Sequence, residues 1–341
     1  MSDPYDSASH SLPSPHRSPA EALSCPYVPG ATFIAHRHVP PAPFGGSYSE
    51  IEISNQEDLQ CSTQLDWCVA HPPAEGATFF DDAHSFTVKS AIRTGENCGA
   101  QLIFIDTGLV AKIYDPMFYS YGEQPDLKID VSSMADSDYS NEAAAYSELQ
   151  GTPAQGSIVP EYHGSWTMEI MSVVRDEHIT RRVRMILMDY VPGIRMLDIK
   201  PEYLTAEERE NVMIKVIEAD YDLRYAGVRH DDLSPRNIII TTPSNLADPQ
   251  LRLVLIDFAF SFVFRINLGT RPKDKYRNPL FEWSWPSRWG SYGWISPCRE
   301  ETIKRMWELF GDGRKGKYVK VQRDPSSKLG APIEEDWEIN E

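Results

Sequence analysis

Two short segments in the second half of the chain carry the side chains that phosphate chemistry with a metal ion requires. The first is His230–Asn237 (HDDLSPRN), and the second (LIDFA) contains Asp257. Magnesium takes hard oxygen ligands and shares them with phosphate groups, so we expect Asp257 and Asn237 to supply those ligands. Asp232 is the carboxylate expected to accept the proton of an attacking hydroxyl. The pattern predicts two adjacent hairpin loops that hold a magnesium ion beside a hydroxyl group.

The segment HDDLSPRN resembles the catalytic loop of protein kinases (HRDxxxxN), and IDFA resembles their metal-binding DFG segment. The resemblance implies a lysine on the third strand of a sheet, and Lys112 in the sequence VAKI fits that position. It also implies a glutamate on the next helix that pairs with the lysine. Glu142 is the expected partner and Glu148 the alternative. The resemblance covers residues 80–310 and is strongest for the two loops.

The same resemblance implies ATP and Mg²⁺ as cofactors. The loop Arg93–Gly99 (RTGENCG) corresponds to the glycine loop of kinases, in a form looser than GxGxxG. The adenine ring would lie against a linker that begins at Met188. The expected nucleotide contacts are Gly95, Gly99, Lys112, Met188, Asp189, Tyr190 and Val191. Arg236, four residues after Asp232 as in tyrosine kinases, would offset charge on the γ-phosphate.

Several positions depart from the kinase pattern. Asp231 replaces the arginine that receives a phosphorylated activation loop, so that form of regulation is not expected. Ser234 replaces a phosphate-contacting lysine, and Ala259 replaces the glycine of DFG. His230 is expected to anchor the backbone rather than to react.

The chain beyond Asp257 is short for a kinase and has no APE-like segment, which predicts a shortened C-lobe. An aromatic stretch stands there instead, running from Phe281 to Trp294. Its tryptophans either stack on a substrate or pack the shortened lobe, and the sequence leaves both possibilities open.

Two functions remain open on these residues. The first is an active phosphotransferase that uses Lys112, Glu142, Asp232 and Arg236 in catalysis, with a protein or small-molecule hydroxyl as acceptor. The second is a pseudokinase, a nucleotide- or partner-binding module without phosphoryl transfer. The overall texture most resembles fungal kinase-like proteins of undefined substrate.

The elements that must position these residues follow from periodicity. Alternating or short apolar runs predict strands at residues 48–53, 62–70, 86–92, 100–105, 109–114 and 181–190. Two further short apolar runs lie at 237–241 and 251–256. Helical spacing predicts helices at 141–149, from Thr205 to just before Gly227, and at 299–310, with a loop at 115–140. Thr205 and Glu208 form a predicted capping box. The fold class is therefore α+β, a two-lobed kinase-like chain with an antiparallel N-lobe sheet and a mainly helical C-lobe.

The predicted organisation has four parts. Residues 1–46 form a disordered Ser/Pro-rich tail, 47–190 an N-lobe, 191–325 a C-lobe, and 326–341 an acidic tail.

Composition excludes several classes of function. The net charge of −17 disfavours nucleic acid and anionic lipid as partners. No apolar run has the length of a membrane span or a signal peptide. The 5 cysteines have neither disulfide-framework nor zinc spacing, which predicts reduced thiols and a cytoplasmic, or alternatively nuclear, protein.

Overall fold

The computed structural model is an α+β structure with a large antiparallel sheet and several helices. It describes residues 24–45, 48, 56–122, 124, 128–174, 177–241, 245–269, 277–283, 287–328 and 330–333. The first 23 residues and the end from residue 334 lie outside these ranges, as does the predicted strand at 48–53 apart from Tyr48.

Six antiparallel strands close into a barrel in the order β1-β2-β3-β4-β6-β5, with β5 pairing back to β1. They are β1 (Thr32–Val39), β2 (Ala77–Arg93), β3 (Gln101–Ile105), β4 (Leu109–Tyr114), β5 (Tyr162–Val174) and β6 (Glu177–Asp189). The strands predicted at 86–92, 100–105, 109–114 and 181–190 are confirmed. β5 was not predicted. Alternating burial along β3 shows the period of two that turns apolar side chains into the core.

The prediction of a disordered tail through residue 46 is wrong for residues 24–45. β1 pairs with β2 and β5, and Tyr27 is fully buried. The Tyr27 hydroxyl donates a hydrogen bond of 2.8 Å to Asp115, which also forms a buried ion pair with Arg181. The prediction rested on the average composition of residues 1–46, which is rich in proline and serine, and so it did not detect the few apolar residues of β1. Long-range pairing orders this stretch.

Deleting residues 1–46 should therefore destabilise the protein. The truncation removes β1 and leaves the buried Asp115–Arg181 pair without the Tyr27 hydroxyl, so we expect the Tm to fall by roughly 5 °C or more. A chain that begins at residue 24 keeps all the contacts described above and is the matched control. Thermal unfolding of the three chains measures the effect, and equal Tm values for the full chain and the chain lacking 1–46 would contradict it.

The structure also describes seven helices and a second group of short strands. The helices are α1 (Gln56–Cys61), α2 (Gln64–Ala70), α3 (Val131–Leu149), α4 (Ala206–Tyr225), α5 (Phe264–Leu268), α6 (Ser287–Ser291) and α7 (Arg299–Phe310). The strands are β7 (Ile194–Arg195), β8 (Val228–His230), β9 (Ile238–Ile240), β10 (Leu253–Leu255), β11 (Ser261–Val263), β12 (Gln322–Arg323) and β13 (Pro332–Ile333). They pair as β10-β9-β7, β11-β8 and β12-β13.

The predicted strand at 62–70 is wrong, because this stretch forms helix α2. The Thr63 side chain accepts a hydrogen bond from the backbone N–H of Asp66 and so caps the helix. Gln64, Trp67 and Cys68 are buried at helical spacing. The short apolar run was compatible with either element, and the cap decides for the helix.

Helix α3 begins ten residues before the predicted start at residue 141. The side chain of Asp130 accepts from the backbone N–H of Ser133 at 3.0 Å and caps the first turn. Val131, Ala135 and Tyr139 are buried one turn apart. The early turns look like a loop in composition, and tertiary burial holds them in the helix.

Helix α4 confirms the predicted start, including the capping box between Thr205 and Glu208. Helix α7 matches the predicted residues 299–310, and β9 and β10 lie within the short apolar runs at 237–241 and 251–256. In the part of the chain that the structure describes, no helix combines the length and apolar character needed to cross a bilayer.

Candidate functional site

Lys112 lies at the centre of a buried ion-pair cluster. It stands on β4 between β3 and β6, and its side chain reaches toward α3. Its Nζ donates to Oε2 of Glu142 and to Oδ1 of Asp257, the second at 2.7 Å. The structure thus gives Lys112 the predicted partner Glu142. The alternative, Glu148, accepts instead from Arg265 at 2.9 Å.

The three charges in this cluster control one another. Burial alone would lower the pKa of Lys112, but Asp257 and Glu142 more than offset this and raise it. Burial would likewise raise the pKa of Asp257, yet the contact with Lys112 lowers it to about 2. Glu142 is fully buried, and desolvation raises its pKa although Lys112 acts in the opposite direction. At neutral pH the cluster holds a protonated lysine against an ionised Asp257.

The backbone between β9 and β10 brings the two predicted loops together. Leu255 pairs with Ile238 in this hairpin, and the N–H of Ile256 donates to the carbonyl of Asn237 at 3.0 Å. Asp257 follows directly, in a left-handed conformation with φ of 70°. This unusual backbone aims its carboxylate away from the strand direction and toward Lys112.

His230 anchors the second loop, as expected. Its Nε2 donates to the carbonyl of Ile256 at 3.0 Å, and its ring packs on Phe258 with centroids 4.8 Å apart. Phe258 is fully buried and also contacts Tyr146 of α3, one turn beyond Glu142. The helix that carries Glu142 and the loop that carries Asp257 are therefore packed together.

Asp232 accepts hydrogen bonds from two neighbours in its own loop. The side-chain nitrogen of Asn237 donates to its backbone oxygen at 3.0 Å and to Oδ2 at 2.9 Å. Arg236 donates to both carboxylate oxygens through Nη2, at 2.8 and 2.7 Å. The structure thus brings Asp232, Arg236 and Asn237 together. Arg236 contacts Asp232 here, whereas the sequence predicted contact with a phosphate.

A second arginine reaches the same carboxylate from a distant part of the chain. Nη1 of Arg288, on α6, lies 3.8 Å from Oδ1 of Asp232 and donates to the carbonyl of Leu233 at 3.4 Å. Sequence reasoning missed this residue because it considered only the aromatic neighbours of Arg288. The sequence signal for this residue was the pair Arg288-Trp289, in which a tryptophan that packs into the core stands next to a charged side chain.

The loop that corresponds to the glycine loop is held by the buried side chain of Gln101. Oε1 of Gln101 accepts from the N–H of Gly95 at 2.6 Å, and Nε2 donates to the carbonyl of Gly99 at 2.8 Å. The N–H of Gly99 donates to the carbonyl of Phe118 at 3.2 Å. Both glycines have positive φ, 116° and 64°, which favours glycine at these positions. In this conformation their N–H groups are used within the protein rather than offered to a phosphate.

The residues predicted to contact adenine lie at the end of β6. Met188 is buried on β6 and pairs with Val110 of β4, two residues before Lys112 on the same strand. Asp189 pairs with His163 at 2.8 Å, Val191 is half-buried, and Tyr190 is half-exposed. At the end of β6, the Met188 side chain is therefore buried, whereas the polar side chains of Asp189 and Tyr190 are partly exposed.

The donor set fits a magnesium ion shared with phosphate. Nδ2 of Asn237 is directed at Asp232, so Oδ1 is the atom of this side chain that could bind a metal. Asp257 supplies a carboxylate that is one-third exposed. Among the described residues, no group of three His, Cys, Asp or Glu side chains has the geometry of a metal site. A magnesium ion here would thus depend on oxygens from phosphate and water, which is its common mode.

Asp138 is a further carboxylate near this cluster that the sequence did not single out. It lies on α3 one turn before Glu142 and accepts from the Tyr119 hydroxyl at 3.0 Å. Desolvation raises its pKa to about 7, against the lowering effect of Lys112. Its carboxyl group is therefore partly protonated at neutral pH.

Asp138→Asn should stabilise the protein at pH 8, by on the order of 1 kcal/mol, and have little effect at pH 4. The raised pKa means that the folded state binds this proton more tightly than the unfolded chain. The wild type therefore loses this contribution as pH rises through about 7, and the asparagine variant does not. Urea unfolding between pH 4 and 8 measures the difference, with exposed Asp106→Asn as control. A pH-independent difference would contradict the assignment.

Within the aromatic stretch at 281–294, the three tryptophans that the structure describes pack into the core. Trp283, Trp289 and Trp294 are all nearly fully buried, and the rings of Trp283 and Trp289 stack at 5.9 Å. Nε1 of Trp283 donates to Asp220 of α4 at 3.0 Å. Of the two readings left open by the sequence, packing is the one that applies to these three residues.

The predicted residues thus form two adjoining groups: Lys112, Glu142 and Asp257 in one, and Asp232, Arg236 and Asn237 in the other. The hydrogen bond from Ile256 to Asn237 joins them. Neither a scan against models of protein families nor a search of curated proteins finds a match to this chain.

Proposed function

We propose that this chain is an ATP- and magnesium-dependent phosphotransferase with a two-lobed, protein-kinase-like fold. The observation that carries the proposal is the cluster in which buried Lys112 contacts both Glu142 and Asp257 beside the hairpin that bears Asp232. A purely structural ion pair would need one carboxylate, and it would not need the left-handed backbone at Asp257. The N-lobe includes β1, so it begins well before the residue 47 expected from the sequence.

Each residue of the site has a defined part in the transfer. Lys112, held by Glu142, would orient the α- and β-phosphates of ATP, and Asp257 with Asn237 would hold magnesium. The metal would supply positive charge to the phosphate oxygens. The bond between the γ-phosphorus and the ADP oxygen breaks as the acceptor oxygen takes the phosphoryl group. The proton of the acceptor hydroxyl passes to Asp232.

The second candidate is a binding module that holds nucleotide without transfer. The internal hydrogen bonds of the Gly95 and Gly99 N–H groups favour it, because a phosphate would have to displace them. The polar residues at the metal and hydroxyl positions favour the enzyme, because a module that only binds a nucleotide does not need Asp232. Turnover of ATP over a panel of metabolites and peptides separates the two.

Asp257→Asn tests the nucleotide site directly. The change removes the charged metal ligand, so binding of magnesium–ATP should weaken by at least about tenfold. It also releases Lys112 from one carboxylate, so binding of metal-free ATP should be unchanged or tighter. Calorimetry with and without magnesium measures both. Equal losses under the two conditions would show that Asp257 does not act through the metal.

A further inference from the structure

We propose, on the basis of the phosphotransferase function above, that the acceptor carries an anionic group, a phosphate or a carboxylate, which Arg288 and Arg236 recognise beside Asp232. The acceptor on this proposal is a small hydroxyl compound. Arg288 lies outside the sequence pattern, because it belongs to α6, more than fifty residues after the loop that it contacts.

The charges around Asp232 do not balance locally. Two guanidinium groups face one carboxylate, since the neighbouring Asp231 is already paired with Arg229. This leaves one excess positive charge among Asp232, Arg236 and Arg288, in a protein whose net charge is −17. A local positive site on an acidic protein attracts an anionic ligand, and the negative charge of the remaining surface repels the ligand elsewhere.

Both arginines are accessible and incompletely used. Arg236 is 56% exposed and Arg288 48% exposed, whereas Asp232 is only 19% exposed. Arg236 contacts both oxygens of Asp232 with a single nitrogen, and Arg288 is 3.8 Å from the nearer oxygen. In the described part of the chain, the other nitrogens of these two side chains have no hydrogen-bond partner. Guanidinium groups favour bidentate contact with phosphate and carboxylate, and this geometry leaves donors for it.

The same loop also carries a buried serine hydroxyl. Ser234 is 1% exposed, and its Oγ has no hydrogen-bond partner among the described residues. Buried hydroxyls are normally bonded, so this Oγ is available to a polar group that binds at the loop. Ser234 also stands where the kinase pattern has a phosphate-contacting lysine, a charge that this loop lacks.

The position of Arg288 is fixed by the packing of its neighbour. Trp289 is buried against Trp283, which is bonded to α4 through Asp220. The N–H of Trp294 closes the turn on the carbonyl of Trp289 at 3.0 Å. The buried pair of Trp283 and Trp289 therefore holds Arg288 beside Asp232.

This arrangement couples acceptor binding to the state of Asp232. An anion bound by the remaining nitrogens of Arg288 and Arg236 offsets part of the positive charge that these arginines present to Asp232. Binding of the anionic acceptor therefore makes the carboxylate a stronger acceptor for the proton of the hydroxyl. A neutral polyol cannot do this, so it should be a poor acceptor.

The test is a calorimetric titration of small hydroxyl compounds into the full-length protein saturated with magnesium and AMP-PNP. This ATP analogue fills the site of the γ-phosphate, so that the added anions cannot bind there. The probes are glycerol, glycerate and glycerol 3-phosphate, which share a skeleton and differ in charge. The two anions should bind and glycerol should not, and comparing the two anions distinguishes a carboxylate site from a phosphate site. Arg288→Gln should weaken anion binding by roughly 10- to 100-fold.

Arg305→Gln is the matched control, since Arg305 is equally exposed but pairs with Glu210 and Glu308. It should change anion binding less than about twofold. Anion binding that is unchanged in Arg288→Gln, binding of glycerol as tight as that of the anions, or binding of none of the three probes would each overturn the proposal. Thermal unfolding of each variant checks that it is folded.

The outcome also separates this inference from the proposed function. If magnesium–AMP-PNP does not bind, the phosphotransferase assignment fails, and the anions are titrated into the protein alone. Anion binding that still depends on Arg288 would then support the arginine site by itself. Loss of that dependence would overturn both.

Discussion

Asp232→Asn is expected to lower phosphate transfer, or slow ATP hydrolysis, by roughly 100-fold or more, with little change in the Kd for magnesium–ATP. The substitution keeps the size of the side chain but removes the charge that draws the proton of the acceptor. Asp232 contacts Asn237 and Arg236 in its own loop, whereas Lys112, the cation proposed to orient the phosphates, contacts Glu142 and Asp257. Loss of the base should therefore affect the chemical step and spare the nucleotide.

Asp231→Asn is the natural control for this experiment. It removes a carboxylate from the adjacent position, but Asp231 pairs with Arg229 and does not contact Asp232's partners. Its turnover should stay within a few-fold of the wild type. Calorimetry for nucleotide affinity and a transfer assay are run on the same samples. If Asp232→Asn abolishes nucleotide binding instead, the assignment of separate parts to Asp232 and Asp257 is wrong.

The residues of the site could be predicted from sequence where neighbours in the chain are also neighbours in space. Asp232 and Asn237 are five positions apart in one loop, and the β9–β10 hairpin sets Asp257 beside them. The two short apolar runs at 237–241 and 251–256, together with the residues between them, determine how β9 and β10 pair. Lys112 and Glu142 required the family pattern, because nothing local in either segment shows that β4 and α3 face each other.

What the sequence did not predict depends on long-range contacts. Strand β1 is ordered by pairing with β2 and β5, whose paired residues lie 38 or more positions away, and its own composition is too mixed to predict it. The first turns of α3 are polar, and their stability comes from burial of Val131 and Tyr139. Missing these turns also hid Asp138. Arg288 lies beside Asp232 only because Trp289 packs against Trp283, and no spacing rule connects those segments.

Lys112→Met is expected to reduce the free energy of unfolding by about 3–5 kcal/mol, in addition to any effect on nucleotide. The reason is that Glu142 is fully buried and its ion pair is with Lys112. Without the lysine, the carboxylate keeps only the Tyr114 hydroxyl, which donates to Oε2 at 2.8 Å. Asp257 is one-third exposed and can be solvated, so most of the loss should come from Glu142.

The double variant Lys112→Met with Glu142→Gln resolves this. Glutamine keeps the hydrogen bond from Tyr114 but has no charge, so most of the lost stability should return, with a coupling free energy of about 2 kcal/mol or more in urea unfolding. Additive losses would show that Glu142 is not held by Lys112. The double variant is then a folded protein without the cation at the phosphate position. If it binds magnesium–ATP as tightly as the wild type, Lys112 has only a structural part, whereas weakened binding at restored stability assigns the lysine to the phosphates.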